Sequence, residues 1–486
     1  MENKLTQKND YSNLQKLFLI FAGALLTGAM WRARGSHGWG SSWGVLSVTI
    51  LFTFFVYAVF KRKTNASFFH IITAGVACML TTPAWGTLVN QTSGYFTSDA
   101  TPETYNCTPL SGVFIMLCLG FGAVPLFAFV FSRIFSNKQY KLIHYILTVG
   151  VFFAVFYVAN ATVSHFILKL VQPESVNAFQ GGIDYVVELS KSANISEEFA
   201  GMAKKGSEIF KSLGDTATPY SVYMNHFSSI NWAKKIPYGR NYFTEIAVIS
   251  HAIASLVTVI FMRFGLKDKT GSKVTLSVCS AFAVGICAGT VSFVLRSNHP
   301  DWEFLSSAWS IWEFLTGFIA GFIIMSVLFS LDKKTEDTGF KDDILPFVPE
   351  KIKTLFYAVY VFAFGICFTL IRPFARRLDD SDVISIVAYA VLGVAALVIT
   401  VLMLTGKLPK FWEKDVIGFA PKAVPLFFGI HMFIYFFIGN YWSREDDPTL
   451  PAILEPDFVL YMMIVAVALF FALYFSSYKK IKEENR

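Results

Sequence analysis

Apolar runs of about twenty residues recur along the chain, the length a helix needs to cross the hydrocarbon of a bilayer. Only helices and closed barrels satisfy every backbone N–H and C=O there. The runs are continuously apolar rather than alternating, so a barrel is excluded. They fall at 14–34, 43–60, 67–88, 109–132, 142–170, 242–263, 273–296, 306–330, 351–373, 383–404, 418–440 and 457–478. Composition agrees: 54% of residues are hydrophobic, 51 are Phe and only 15% are charged, whereas soluble domains are roughly a quarter charged. The fold expected is an all-α, polytopic integral membrane protein of about twelve transmembrane helices. The first run, Leu17 to Met30, follows Lys4, Lys8 and Lys16 as a secretion signal would. No A-x-A cleavage site follows, so it reads as an uncleaved first helix.

Orientation follows from the Lys and Arg of the short loops, which favour the cytoplasmic side. Every second loop is basic: Lys61, Arg62 and Lys63; Arg133, Lys138 and Lys141; Arg263, Lys267, Lys269 and Lys273; Lys333, Lys334, Lys341, Lys351 and Lys353; Lys407, Lys410, Lys414 and Lys422; then Lys479, Lys480, Lys482 and Arg486. Val89 to Gly112 between them has no Lys or Arg. Both termini are therefore expected in the cytoplasm, in a plasma (inner) membrane. The net charge of +7 is accounted for by these loops and gives no reason to expect nucleic acid as a partner. Cys78, Cys118, Cys279, Cys287 and Cys367 lie in apolar runs, with Cys107 alone in a loop. They read as small hydrophobes, not a disulfide framework or a metal cluster.

Residues 172–241 form the one long polar insertion, expected outside the cell. Gly181 to Ser192 and Ile195 to Leu213 read as helices, the second with Phe199, Met202, Ile209, Phe210 and Leu213 near a 3.6 period. The insert is either a helical cap over the outer face or a spacer on the membrane surface. The organisation expected is five helices in 1–171, the insert in 172–241, the sixth helix and a cytoplasmic linker in 242–272, and a second six-helix half in 273–486. An internal repeat suggests the halves. Arg34-Gly-Ser-His37-Gly-Trp39 before Ser41-Ser42-Trp43 matches Arg296-Ser-Asn-His299-Pro-Asp-Trp302 before Ser306-Ser307-Ala-Trp309. Cys78 to Pro83 loosely matches Cys367 to Pro373. Each pair lies six helices apart, and an even number preserves orientation, so the repeats would be parallel. Helix number, orientation and symmetry are similar to those of the major facilitator transporters. Their acidic and basic signature between helices two and three is missing, because this chain has Phe60-Lys61-Arg62-Lys63-Thr64.

The outer side is expected to use Arg where the inner side uses Lys. Arg32, Arg34, Arg296 and Arg372 are candidate anion ligands, since the guanidinium fork fits carboxylate, phosphate and sulfate. Arg376, Arg377 and Arg444 read instead as headgroup contacts or partners of nearby acids. Gly35, Gly38, Gly40 and Gly44 surround His37, Trp39 and Trp43, and such a Gly-rich break can expose backbone donors to an anion. Trp39, Trp43, Trp302 and Trp309 offer flat faces to a sugar or lipid-linked substrate, with His37 and His299 beside them. Ionisable residues within spans are functional candidates: Glu313, His251 and His431 for proton coupling, with His165 in a span as well; each single His reads also as a buried, hydrogen-bonded structural group. No Walker loop, dinucleotide fingerprint, H-E-x-x-H or G-x-S-x-G occurs.

The leading expectation is a secondary active transporter moving an anionic solute by alternating access. The solute would be an organic acid, an acidic sugar, or a phosphorylated or sulfated compound. Membrane lipid is the other partner expected, and no cofactor or metal is. One alternative is a membrane enzyme, glycosyl- or acyl-transferase-like, acting on a lipid-linked or glycan substrate at the outer face, with His37, His299, Asp301 and Glu303 as its acids and bases. Another is a lipid flippase.

Overall fold

In a computed structural model the chain is described at residues 11–36, 41–60, 67–81, 108–191, 216–225, 236–302, 308–332, 340, 342–349 and 352–353, with a few single positions up to 405. Thirteen α-helices are used below. They are α1 (Asn13–Ser36), α2 (Ser41–Phe60), α3 (Ser67–Thr81), α4 (Pro109–Phe121), α5 (Pro125–Ser132), α6 (Leu142–Ala161) and α7 (Val163–Val171). Then come α8 (Pro173–Lys191), α9 (Pro219–Asn225), α10 (Gly239–Ile260), α11 (Lys269–Gly289), α12 (Val291–Asn298) and α13 (Ala308–Asp332). A π-helical turn, Phe261–Gly265, extends α10. Among the described residues there is no strand, only an isolated bridge between Lys141 and Asp343. Five helices are long and apolar enough to cross a membrane, or six if the bent pair α4–α5 is one span. This is compatible with a multi-pass membrane protein. The four runs expected at 351–373, 383–404, 418–440 and 457–478 fall on residues that, single positions apart, lie outside the described ones.

Among the described residues, the start of α1, the end of α2, the 133–141 segment, the start of α11 and residues 342–343 lie at one end of the molecule, hereafter the basic end. Among the described helices α1 and α13 make the most extensive pairing, antiparallel and in contact along their length. Small residues permit it: a Cβ on Gly23 would stand 2.7 Å from the Met325 side chain, and one on Gly317 would stand 2.7 Å from Trp31 Cβ. Gly317 and Gly321 make a G-x-x-x-G face toward α1, and Gly285 and Gly289 of α11 make another toward α13. Close backbone approach of this kind drives helix association where lipid offers no hydrophobic force. Rings fill the remaining space: Phe21 against Phe322 at 5.4 Å, Phe60 against Phe329 at 4.8 Å, and Trp31 against Phe282 at 5.1 Å. Gly317→Leu would drive a side chain into the α1 backbone at Thr27. It should lower the thermal midpoint of the purified protein by the equivalent of about 3 kcal/mol, the upper range for overpacking. Gly150→Leu should leave the midpoint unchanged, because a Cβ there meets nothing within 4 Å.

Hydroxyls inside the apolar helices bond back one turn: Thr27 to Gly23 O, Thr53 to Thr49 O, Thr258 to Ala254 O. This satisfies them without water. Of the five helices described as long and apolar enough to cross a membrane, α6 is the least covered by protein. Leu142, Ile143, Ile146, Leu147, Tyr157 and Val158 are all exposed on it, a face suited to lipid rather than water.

Several runs read as single spans are interrupted. The run 109–132 bends by 45° between α4 and α5, where Gly122 abuts His251 of α10 and Pro125 opens the second piece. The run 142–170 breaks at Thr162, and 273–296 breaks at Thr290. The first helix of the insert begins at Pro173 rather than Gly181, Pro being suited to a first helical position. Its Phe179, Ile183 and Val187 are buried as it packs onto the ends of α7 and α10, and Gln180 bonds the carbonyl of Ala217 at 3.0 Å. The second expected insert helix, 195–213, lies outside the described residues.

Candidate functional site

Among the described residues three polar groupings lie within this apolar frame. The first is on the pair α1 and α13. Arg32 follows Asn13 by nineteen residues of α1, about 28 Å at 1.5 Å per residue, so it lies at the end opposite the basic one. Glu313 is in the second turn of α13, at the same end. Both are buried, Arg32 at 4% exposure and Glu313 at 6%. The antiparallel register sets Gly28 against Phe314 and Gly23 against Met325, and its continuation places Arg32 level with Glu313. One turn on, Thr316 is fully buried, and its Oγ1 has no hydrogen-bond partner among the described residues. Trp312 closes this region from α13, its indole donating to Ile286 O at 3.3 Å.

Side chains of the repeated motif are described only in part of its second copy. Arg296 is exposed near the end of α12, and the His299 ring lies flat on Trp302 at 4.1 Å and 7°. Ser292 of α12 bonds the carbonyl of Ala308 at 3.0 Å, so this copy sits at the same end as Arg32 and Glu313. For Arg34, Trp43 and Trp309 only the backbone is described, helical in each case. His37, Trp39, Glu303, Arg372 and His431 lie outside the described residues. Asp301 is exposed in the turn before Trp302.

His251 is not brought to Glu313. It lies between α6 and α10, with its ring 4.4 Å from Phe156 and Nδ1 at 2.7 Å from Ala247 O of its own helix. The second grouping is a seam of cross-helix polar pairs, joining α10 to α7 and to α8. His165 Nδ1 meets Tyr242 OH at 2.7 Å, Ser164 meets Ser250 at 2.8 Å, and Ser175 donates to Glu245 at 2.5 Å. Glu245 and Gln172 are completely buried, and both amide atoms of Gln172 lack a partner among the described residues.

The third grouping, at the basic end, centres on Arg133, which is buried. Its Nε and Nη2 grip the Asp342 carboxylate at 2.8 and 3.0 Å, and its Nη1 donates to Asp268. Nη2 also donates to the Lys138 carbonyl. Asp268 accepts from Ser136 and from the backbone N–H of Gly271, each at 2.8 Å, and so caps α11 as well. Asp342 accepts further from Tyr145 OH at 2.7 Å and Tyr140 N–H at 2.8 Å. The guanidinium lies 3.4 Å above the Tyr140 ring. Burial alone would lower the Arg133 pKa, but the bond to Asp342 and the two carboxylate charges raise it, so the group stays charged. Burial, with the Asp268 charge next, raises that of Tyr140. His70 of α3 lies close by, bridging Tyr57 OH at 2.8 Å and Val130 O at 2.6 Å beneath Phe340.

Sequence reasoning passed over Arg133, Asp268, Asp342, His70 and Glu245. Two carried a legible signal, since His70 and Glu245 are ionisable residues inside apolar runs. Among the described residues no group of three or more His, Cys, Asp or Glu could hold a metal ion. No protein-family model matches the chain, and no curated protein or solved structure is significantly similar to it.

Proposed function

We propose that this chain is an integral membrane carrier that moves an anionic solute by alternating access. The observation that carries the reading is a buried Arg32 level with a buried Glu313 on the glycine-lined pair α1 and α13. Burying charge in an apolar interior is costly, and within membranes such groups mark solute and proton pathways. Arg32 supplies a fork of donors for a carboxylate, phosphate or sulfate, and the Thr316 hydroxyl is available one turn from Glu313. Glu313 is the group proposed to carry the coupling proton. Arg296, His299 and Trp302 stand at the same end as the entrance. Arg34, His37, Trp39, Trp43, Trp309 and Arg372 are assigned to that entrance too.

The proposal includes twelve spans in two six-helix halves, with the basic end and both termini cytoplasmic and residues 172–241 outside. Membrane lipid covers faces such as that of α6. A thermal-stability screen of the purified protein against sugar acids, carboxylates, phosphate and sulfate tests the anion site. At a ligand concentration a hundred times Kd, stabilisation of about 2.7 kcal/mol is expected, and Arg32→Gln should abolish it. Equal stabilisation of both proteins would remove Arg32 from the site.

A further inference from the structure

We propose that Arg133, Asp268 and Asp342 form a latch that holds the basic end of the molecule closed and must separate for that end to open. Three segments outside the helical core meet in it: 133–141 between α5 and α6, 266–268 before α11, and 342–343 after α13. Each of the three guanidinium nitrogens is engaged, and both carboxylates accept bonds from other groups as well. Lys138 Nζ donates to the Leu266 carbonyl, and Asp343 N–H to the Tyr140 carbonyl at 3.0 Å. The segment 133–141 is thereby tied to each of the other two as well as through Arg133.

The composition of the junction suits a contact that opens. A buried ion pair adds little net stability over well-packed apolar groups, yet it enforces one arrangement while it is dry. Once the segments part, water solvates all three charges, so the open state is not left with buried charge. The backbone leading to Asp268 is irregular: a π-helical turn ends at Gly265, and Lys267 is left-handed at φ 57°. Both features recur where backbones are built to shift. At the opposite end Arg296 and Trp302 are exposed, while Arg32 and Glu313 are buried, and no described ion pair joins three segments there. In the two-half arrangement proposed above, Arg133 belongs to the first half, Asp342 to the second and Asp268 to the linker between them. The latch would then close the cytoplasmic side. That use rests on the carrier reading; the latch itself does not.

The test is thiol accessibility in the full-length protein in lipid vesicles, with no transported solute. Phe340→Cys places a thiol two residues from Asp342, at a side chain that is 3% exposed. Ala308→Cys places one at the opposite end, also 3% exposed. Labelling by a bulky charged maleimide is compared with that of the parent chain. Adding Asp342→Asn should speed labelling at 340 at least tenfold and leave 308 unchanged. Tyr145→Phe, which removes one bond to Asp342 and spares the ion pair, should speed labelling at 340 about threefold, and it decides the matter if the Asn variant does not fold. An unchanged rate at 340 in the folded variants would overturn the latch. So would an equal rise at both ends, because the network would then be holding the whole fold rather than one end.

Discussion

Arg133→Met should destabilise the folded protein by about 3–5 kcal/mol, the range for removing one partner from a buried ion pair. The reason is what remains. Asp342 would lose two bonds and Asp268 one, leaving two carboxylates at 7% exposure or less beside no cation. The loss should shrink when the acids are neutralised as well. The triple variant Arg133→Met, Asp268→Asn, Asp342→Asn has no charge to strand, and should recover most of the loss. Asp268 also caps α11 through Gly271, and Asn serves at that position as well as Asp. Thermal unfolding in detergent compares the three proteins. If the triple variant were no more stable than Arg133→Met, the uncompensated-charge explanation would be wrong.

The second large effect concerns Glu313. If it carries the coupling proton, Glu313→Gln should reduce proton-driven accumulation of the solute at least a hundredfold and leave solute-for-solute exchange within about threefold of the parent. Gln keeps the volume and the hydrogen-bonding shape but cannot release a proton. Arg32→Lys should behave differently and depress both modes, since a point charge cannot reproduce the two-pronged geometry of the guanidinium. Vesicles loaded with cold solute separate the two modes. Loss of both in Glu313→Gln would make Glu313 a ligand or a structural group instead of a proton site.

The helical class was legible because the bilayer constrains sequence so strongly: α1, α6, α10, α11 and α13 all coincide with apolar runs. Internal breaks were not legible as runs. Thr162 and Thr290 interrupt helices without any loss of hydropathy, and α5 restarts at Pro125 inside a stretch apolar throughout. The packing of α13 had a readable signature in Gly317-Phe-Ile-Ala-Gly321 and Gly285-Ile-Cys-Ala-Gly289, which periodicity of hydropathy does not register. Arg32 and Glu313 are legible only singly, the first as an outer-side arginine suited to an anion and the second as an ionisable residue within a span. Their common level comes from antiparallel pairing of α1 with α13, which joins residues 281 positions apart and leaves no local trace. The Arg133 network was hidden for the opposite reason. Lys and Arg in a basic loop already have an explanation in membrane orientation, and nothing in the sequence separates the one that turns inward.

The most direct measurement is uptake of labelled glucuronate, citrate, phosphate and sulfate into sealed vesicles holding the full-length protein, beside Arg32→Gln and protein-free vesicles. Saturable uptake of at least one of these anions by the parent protein is expected, falling to the protein-free rate in the folded Arg32→Gln variant. Uptake that persists in the variant, or none of any anion by folded parent protein under inward and outward proton gradients, would contradict it.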